Sequence, residues 1–216
     1  MLHKRPILIV VAGPNGSGKT SLTSQVLKHD WAKGCEYINP DNIARDEFGD
    51  WNSPEAVVKA AIKAAEYREK CFSDRKSMAV ETVLSAPDKI AFMEKCKSAG
   101  YFVRLFFVGT DNPTINAARV ARRVMEGGHE VPIPKIISRY SKSMSNCIEA
   151  ISIADRAYIY DNSVDDQSPK IMFRVSNGTL AKRYSSASHN WSNNILHCLP
   201  VEPRPRSHSI GGGFNE

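Results

Sequence analysis

The stretch Gly13-Pro14-Asn15-Gly16-Ser17-Gly18-Lys19-Thr20 has the spacing G-x-x-x-x-G-K-[ST]. Each part of that pattern serves phosphate binding. Glycines let successive backbone N–H groups converge on an anion at the start of a helix. The lysine reaches the terminal phosphates, and the hydroxyl after it can ligate Mg²⁺. Lys19 and Thr20 take those roles, and Gly13 to Gly18 with Ser21 complete the nucleotide-binding segment. The ligands this predicts are ATP and Mg²⁺. The loop does not decide whether its phosphate is hydrolysed, signals, or is passed to a second substrate.

Three further groups bear on that choice. Asp41, in "INPDNIA", follows a short apolar run, where a carboxylate can take a proton from a substrate hydroxyl during phosphoryl transfer. A helix- or turn-capping role is an equally good reading. Glu81 and Thr82 close another such run, "SMAVET"; Glu81 can bind a substrate hydroxyl or help to hold Mg²⁺ through water. Arg119, Arg122 and Arg123 fall at i, i+3 and i+4, which places three cations on one helix face. Arg139 lies on the following helix and can join them at a transferring phosphoryl group. His129 lies between, with substrate binding and packing as its two readings. No strong water-poising acid follows the apolar run "RLFFV", where Gly109-Thr110-Asp111 stands, and no N-K-x-D base-recognition motif is present. Both absences favour transfer over hydrolysis.

These residues need elements to carry them. "PILIVVA" (6–12) reads as a central parallel strand, buried on both faces, and leads through the loop into a helix from about Lys19 to His29. "CEYIN" (35–39) predicts a second strand, with a short helix in "NIARDEF". Ser53-Pro54-Glu55 is a helix start, opening a long helix to about residue 74. A third strand over 77–85 precedes a helix closed by Gly100, and "YFVRLFFVGT" (101–110) is another core strand. Two helices flank a Gly127-Gly128 hinge and form a lid. A last core strand in "RAYIYDNS" and a hairpin turning at Asn177-Gly178 complete the pattern. Strands alternating with helices predict an α/β, P-loop NTPase-type three-layer fold with a mostly parallel central sheet and a helical lid. Residues 1–184 form one domain. Residues 185–216, rich in Ser, Asn, Pro, His and Gly, read as a poorly ordered tail with one short apolar segment, "NNILHCL".

Composition narrows the setting. The 216 residues carry a net charge of +6, which suits an anionic ligand. No like-charged block or arginine-rich tail speaks for nucleic acid. The five cysteines, Cys35, Cys71, Cys96, Cys147 and Cys198, are odd in number and widely spaced, which argues against a disulfide framework or zinc site and predicts a reducing cytoplasm. No apolar run approaches a membrane span.

Taken together, "GPNGSGKT", "INPDNIA", "ETVLS", "ARVARRVMEGGHEVPIPKIISRYSKSM" and "DRAYIYDNS" resemble the zeta-toxin family of P-loop kinases over about residues 6–184. The R-V-x-x-R-V-x-x-G-G-H-x-V-P stretch followed by I-x-x-R-Y is the specific part. The resemblance implies transfer of the ATP γ-phosphate to a sugar-nucleotide hydroxyl, UDP-N-acetylglucosamine in the best known relatives. It places the family's base on Asp41, its acceptor-binding Glu-Thr region on Glu81 and Thr82, and its phosphate-gripping arginines on one of Arg119, Arg122 or Arg123 and on Arg139. Arg122 and Arg123, nearest the hinge, are preferred. An antitoxin-like protein is the partner such a family implies. The chain departs from the larger toxins in having Asn42-Ile43-Ala44 after the base, with Arg45 fourth, and in being shorter. Two rivals remain: a kinase with a nucleic-acid acceptor, using Trp31, Trp51 or Tyr37 for stacking, and a nucleotide-gated binding module.

Overall fold

The structure, a computed structural model, describes residues 5–49, 53–128, 130–187 and 189–200. The strands are β1 (Ile7–Ala12), β2 (Glu36–Ile38), β3 (Met78–Thr82), β4 (Phe102–Gly109), β5 (Arg156–Asp161), β6 (Lys170–Ser176) and β7 (Thr179–Arg183). They form one sheet in the order β2-β3-β1-β4-β5-β6-β7. The first five strands are parallel, and β6 and β7 add an antiparallel hairpin. Strand β1 is apolar throughout because it is covered twice: Leu8, Val10 and Ala12 enter one core cluster, Ile9 and Val11 the other. A central parallel strand has no solvent face.

The helices are α1 (Lys19–Val26), α2 (Pro40–Phe48), α3 (Pro54–Ser73), α4 (Pro87–Ser98), α5 (Pro113–Met125), α6 (Ile133–Ile153) and α7 (Asn190–Cys198). Helix α1 stops at Val26 and a 3-10 turn, Asp30–Ala32, follows it. Proline opens α2, α3, α4 and α5 at the first turn, where its missing N–H costs nothing. Asn39, Ser53 and Asn112 each cap the next helix through a side-chain oxygen. Among the described residues no helix is long and apolar enough to cross a membrane.

Helices α5 and α6 form the expected lid region. Gly127 sits at φ 83°, its N–H bonded to the Val124 carbonyl at 3.0 Å and the Gly128 N–H to the Arg123 carbonyl at 2.8 Å. This pairing ends a helix with a left-handed residue. Val120, Val131 and Ile136 then pack α6 back against α5.

The expectation of a poorly ordered tail from Ser185 needs correcting. Residues 190–198 form α7, which buries Trp191, Ile195 and, just beyond it, Leu199 in the main core. Trp191 donates to Asp161 Oδ1 at 3.1 Å and packs on Phe107. His189 Nδ1 lies 2.7 Å from Asp111 Oδ2. A Ser- and Asn-rich composition hid two apolar anchors at i and i+4, enough to dock a short helix. Residues 201–216 lie outside the described part.

Candidate active site

The loop 13–18 turns from β1 into α1. Gly18 is left-handed, at φ 94°, and any side chain there would collide with the Asn162 amide. Gly16, at φ 74°, would bring a Cβ to 2.6 Å from the Asn116 carbonyl oxygen. The asparagines are close because they hold the loop. Asn116 Nδ2 donates to the Asn15 carbonyl at 2.6 Å, and Asn162 Nδ2 to the Ser17 carbonyl at 2.9 Å. The Asn116 side chain is fixed in turn by the buried Thr110 hydroxyl. None of these three was marked by its sequence. A polar residue buried on an otherwise amphipathic helix (Asn116) was the available signal.

Lys19 Nζ donates to the carbonyls of Gly13 at 3.0 Å and Pro14 at 2.9 Å. Burial pushes this ammonium below its ordinary value; Glu81 and Asp41 pull it back, while Arg123 and Arg139 push it down further. Four charged groups from α2, β3, α5 and α6 are therefore close enough to act on one lysine. Ser17 is fully buried, its hydroxyl without a partner, whereas Thr20 and Ser21 are exposed at the start of α1.

Glu81 is 9% exposed. Its Oε1 accepts from Thr20 Oγ1 at 3.2 Å; its Oε2 accepts from Thr23 Oγ1 at 2.9 Å and Tyr37 Oη at 3.1 Å. Of the two readings of Glu81, this arrangement favours the one that joins it to Thr20. Both β3 and β4 flank β1, with Ala12 in register with Thr82 on one side and Phe107 on the other. The carboxylate beside the loop comes from β3, while Asp111 after β4 faces His189. Burial, with Glu81 adding to it, raises the Tyr37 phenol far above its ordinary value, so it stays a donor.

Asp41 is exposed in the first turn of α2, with its N–H held at 2.9 Å by Asn39 Oδ1. Arg139 donates to Asn15 Oδ1 at 3.5 Å; its guanidinium is lowered by burial and raised by Asp41. Tyr140 Oη donates to the Thr110 carbonyl at 2.5 Å and ties α6 to the sheet end beside Arg139. Thr82 is engaged locally, its hydroxyl accepting the Leu84 N–H at 3.0 Å.

The three arginines of α5 divide. Arg119 bonds to Asp165 Oδ1 and to the Asn162 carbonyl, both at 2.7 Å, and Arg122 reaches Asp165 Oδ2 at 3.4 Å. Arg123 is the α5 arginine whose charge acts on Lys19. His129 and Trp51 lie outside the described residues. Trp31 stacks on Phe106 with centroids 5.8 Å apart, and Tyr37 serves Glu81.

The Zeta toxin family model matches residues 2–166. The chain belongs to the zeta-toxin family. An uncharacterized protein of Haemophilus influenzae is 30% identical over 132 residues, covering 61% of this chain and 91% of that protein. Among solved structures, the AvrRxo1-ORF1:ORF2 complex crystallised with ATP aligns with a TM-score of 0.64 at 18% identity, over 91% of this zeta-toxin chain. This chain spans 64% of the length of that one. The PezAT toxin–antitoxin system of Streptococcus pneumoniae aligns with a TM-score of 0.58 at 21% identity, over 90% of this chain and 83% of that one. The fold of this zeta-toxin member is thus the P-loop kinase fold.

Proposed function

We propose that the chain transfers the γ-phosphate of ATP to a hydroxyl of a small molecule, a sugar nucleotide such as UDP-N-acetylglucosamine. The observation that carries this reading is what surrounds the loop: Lys19 is held on the Gly13 and Pro14 carbonyls, Arg139 reaches Asn15 at 3.5 Å, and the charges of the exposed Asp41, of Arg123 and of Arg139 act on Lys19. A base and two cations around the end of a phosphate loop suit transfer, in which charge spreads over the moving phosphoryl group.

The loop amides and Lys19 hold the donor phosphates. Asp41 orients the acceptor hydroxyl and takes its proton. The hydroxyl oxygen bonds to the γ-phosphorus as the bond from that phosphorus to the bridging oxygen breaks, and ADP leaves. Arg123 and Arg139 neutralise the group in passage. Arg119 and Arg122, bridged to Asp165, hold α5 against the β5–β6 loop.

Mg²⁺ fits the residues present. Thr20 and Glu81 place two hard oxygens side by side, the donor type this ion takes. Bound there, it supplies charge neutralisation across the phosphate oxygens. An antitoxin-like protein is the partner suggested by the PezAT relative, itself a toxin–antitoxin system.

A co-crystal with a non-hydrolysable ATP analogue tests the arrangement. The reading expects the γ-phosphate within hydrogen-bond reach of Lys19, Arg123 and Arg139, with Asp41 facing it. A γ-phosphate bound by the loop with both arginines turned away overturns it.

A further inference from the structure

We propose that the open sheet face formed by β5 to β7, with Arg104 of β4 at its edge, binds single-stranded nucleic acid. The proposal does not rest on the kinase reading. Strand register brings its residues together. Arg104 pairs with Arg156, Phe106 with Tyr158, Tyr158 with Arg174, and Arg174 with Lys182. The opposite face carries Phe107, Ile159, Phe173 and Val175 into the core with Trp191. On the proposed face, apolar packing from α1 and Trp31 ends at the half-buried Tyr158 and Tyr160, and no residue of β6 or β7 joins it.

Two features of the face are costly without a ligand. Arg104 opposite Arg156 and Arg174 opposite Lys182 are like-charged cross-strand pairs, which destabilise a sheet. Among the described residues, no carboxylate pairs with any of the four, and the buried Nε atoms of Arg104 and Arg174 have no hydrogen-bond partner. A bound polyanion relieves the first.

The rings decide which polyanion. Trp31, Phe106 and Tyr158 form a ladder of near-parallel planes, with centroids 5.8 and 4.8 Å apart and interplanar angles of 4° and 7°. The Arg104 guanidinium lies 4.2 Å from the Trp31 centroid, and the Lys182 ammonium 4.9 Å from that of the exposed Tyr184. Phe106 is buried inside that stack, so the rings left to meet a base are the half-buried Tyr158 at its end and the exposed Tyr184; cations beside these two match a single strand, whose phosphates and unpaired bases take the two in turn. An acidic polypeptide uses only the charges, and a duplex offers no base face.

The test is fluorescence anisotropy of the full chain with a labelled single-stranded oligonucleotide of about 12 nucleotides, between about 50 and 200 mM salt. Four phosphate contacts predict a slope of log affinity against log salt of about −3. The double variant Arg156→Ala/Lys182→Ala changes exposed side chains outside the kinase site. It should keep its thermal melt and roughly halve the slope. Tyr184→Ala should weaken binding about tenfold. No binding at the lowest salt overturns the proposal. So does an unchanged slope in the double variant, or equal affinity for a duplex or for polyglutamate of matched charge.

Discussion

Thr20 and Glu81 are joined by a hydrogen bond of 3.2 Å that spans 61 residues of sequence. It links the first turn of α1 to the end of β3, and so couples the hydroxyl expected to meet Mg²⁺ to a buried carboxylate that α1 and β2 also hold. Glu81→Gln keeps the shape and removes the charge. We expect a fall of about 10–100-fold in Mg²⁺ affinity or turnover, read by titrating the rate with the ion. A variant with the parent's Mg²⁺ dependence removes Glu81 from the site.

The arginines of α5 should behave differently from one another. Arg123→Ala and Arg139→Ala should each lower kcat by about 10²–10³-fold, the loss typical of one group that stabilises developing charge. Arg122→Ala removes a 3.4 Å ion pair that is half exposed and should leave both stability and kcat little changed. Steady-state kinetics on the three variants decide; a larger kcat loss at Arg122 than at Arg123 reverses the assignment.

Trp191→Ala should destabilise the chain by about 3–5 kcal/mol, as expected for emptying a buried aromatic site. Its ring fills the space over Gly109, where a Cβ would come within 2.7 Å of it. A thermal melt reads the effect. A melt like the parent's shows that α7 does not hold the core.

Tyr140 ties α6 to the sheet end, and burial, with Asp111 and Asp161 adding to it, pushes its phenol up to about 12. The neutral phenol is favoured in the folded state. Its stabilisation is therefore complete below the unfolded value of about 10 and is lost as pH rises through 12. Denaturant titrations between these limits should show falling stability, less steeply in Tyr140→Phe. An equal slope in the variant assigns the loss to other groups.

The donor half of the site was legible because it is local: eight consecutive residues specify a loop, and a strand and helix frame it. The position of Asp41 was legible for the same reason, standing just after a strand. The choice between the two readings of Glu81 was not, because it depends on which strands flank β1, a long-range fact. Helical spacing named three arginines, but adjacent residues point about 100° apart: Arg122 reaches Asp165, while among the three it is the charge of Arg123 that acts on Lys19. Asn116 and Asn162 act through backbone carbonyls of the loop, which no side-chain motif records. The basic sheet face was invisible for a related reason: Arg104, Arg156, Arg174 and Lys182 are scattered over four strands and form no charge run.

Transfer to an acceptor hydroxyl, with Asp41 as the base, is the reaction we propose. Incubating the chain with ATP, Mg²⁺ and a panel of sugar nucleotides, and reading products by mass, tests it most directly. We expect a gain of one phosphoryl group on one acceptor, absent with Lys19→Ala and slowed by about 10²–10⁴-fold in Asp41→Asn while ATP still binds. Phosphorylation of that acceptor by Asp41→Asn at the parental rate, or ATP turnover with none of the panel phosphorylated, contradicts it.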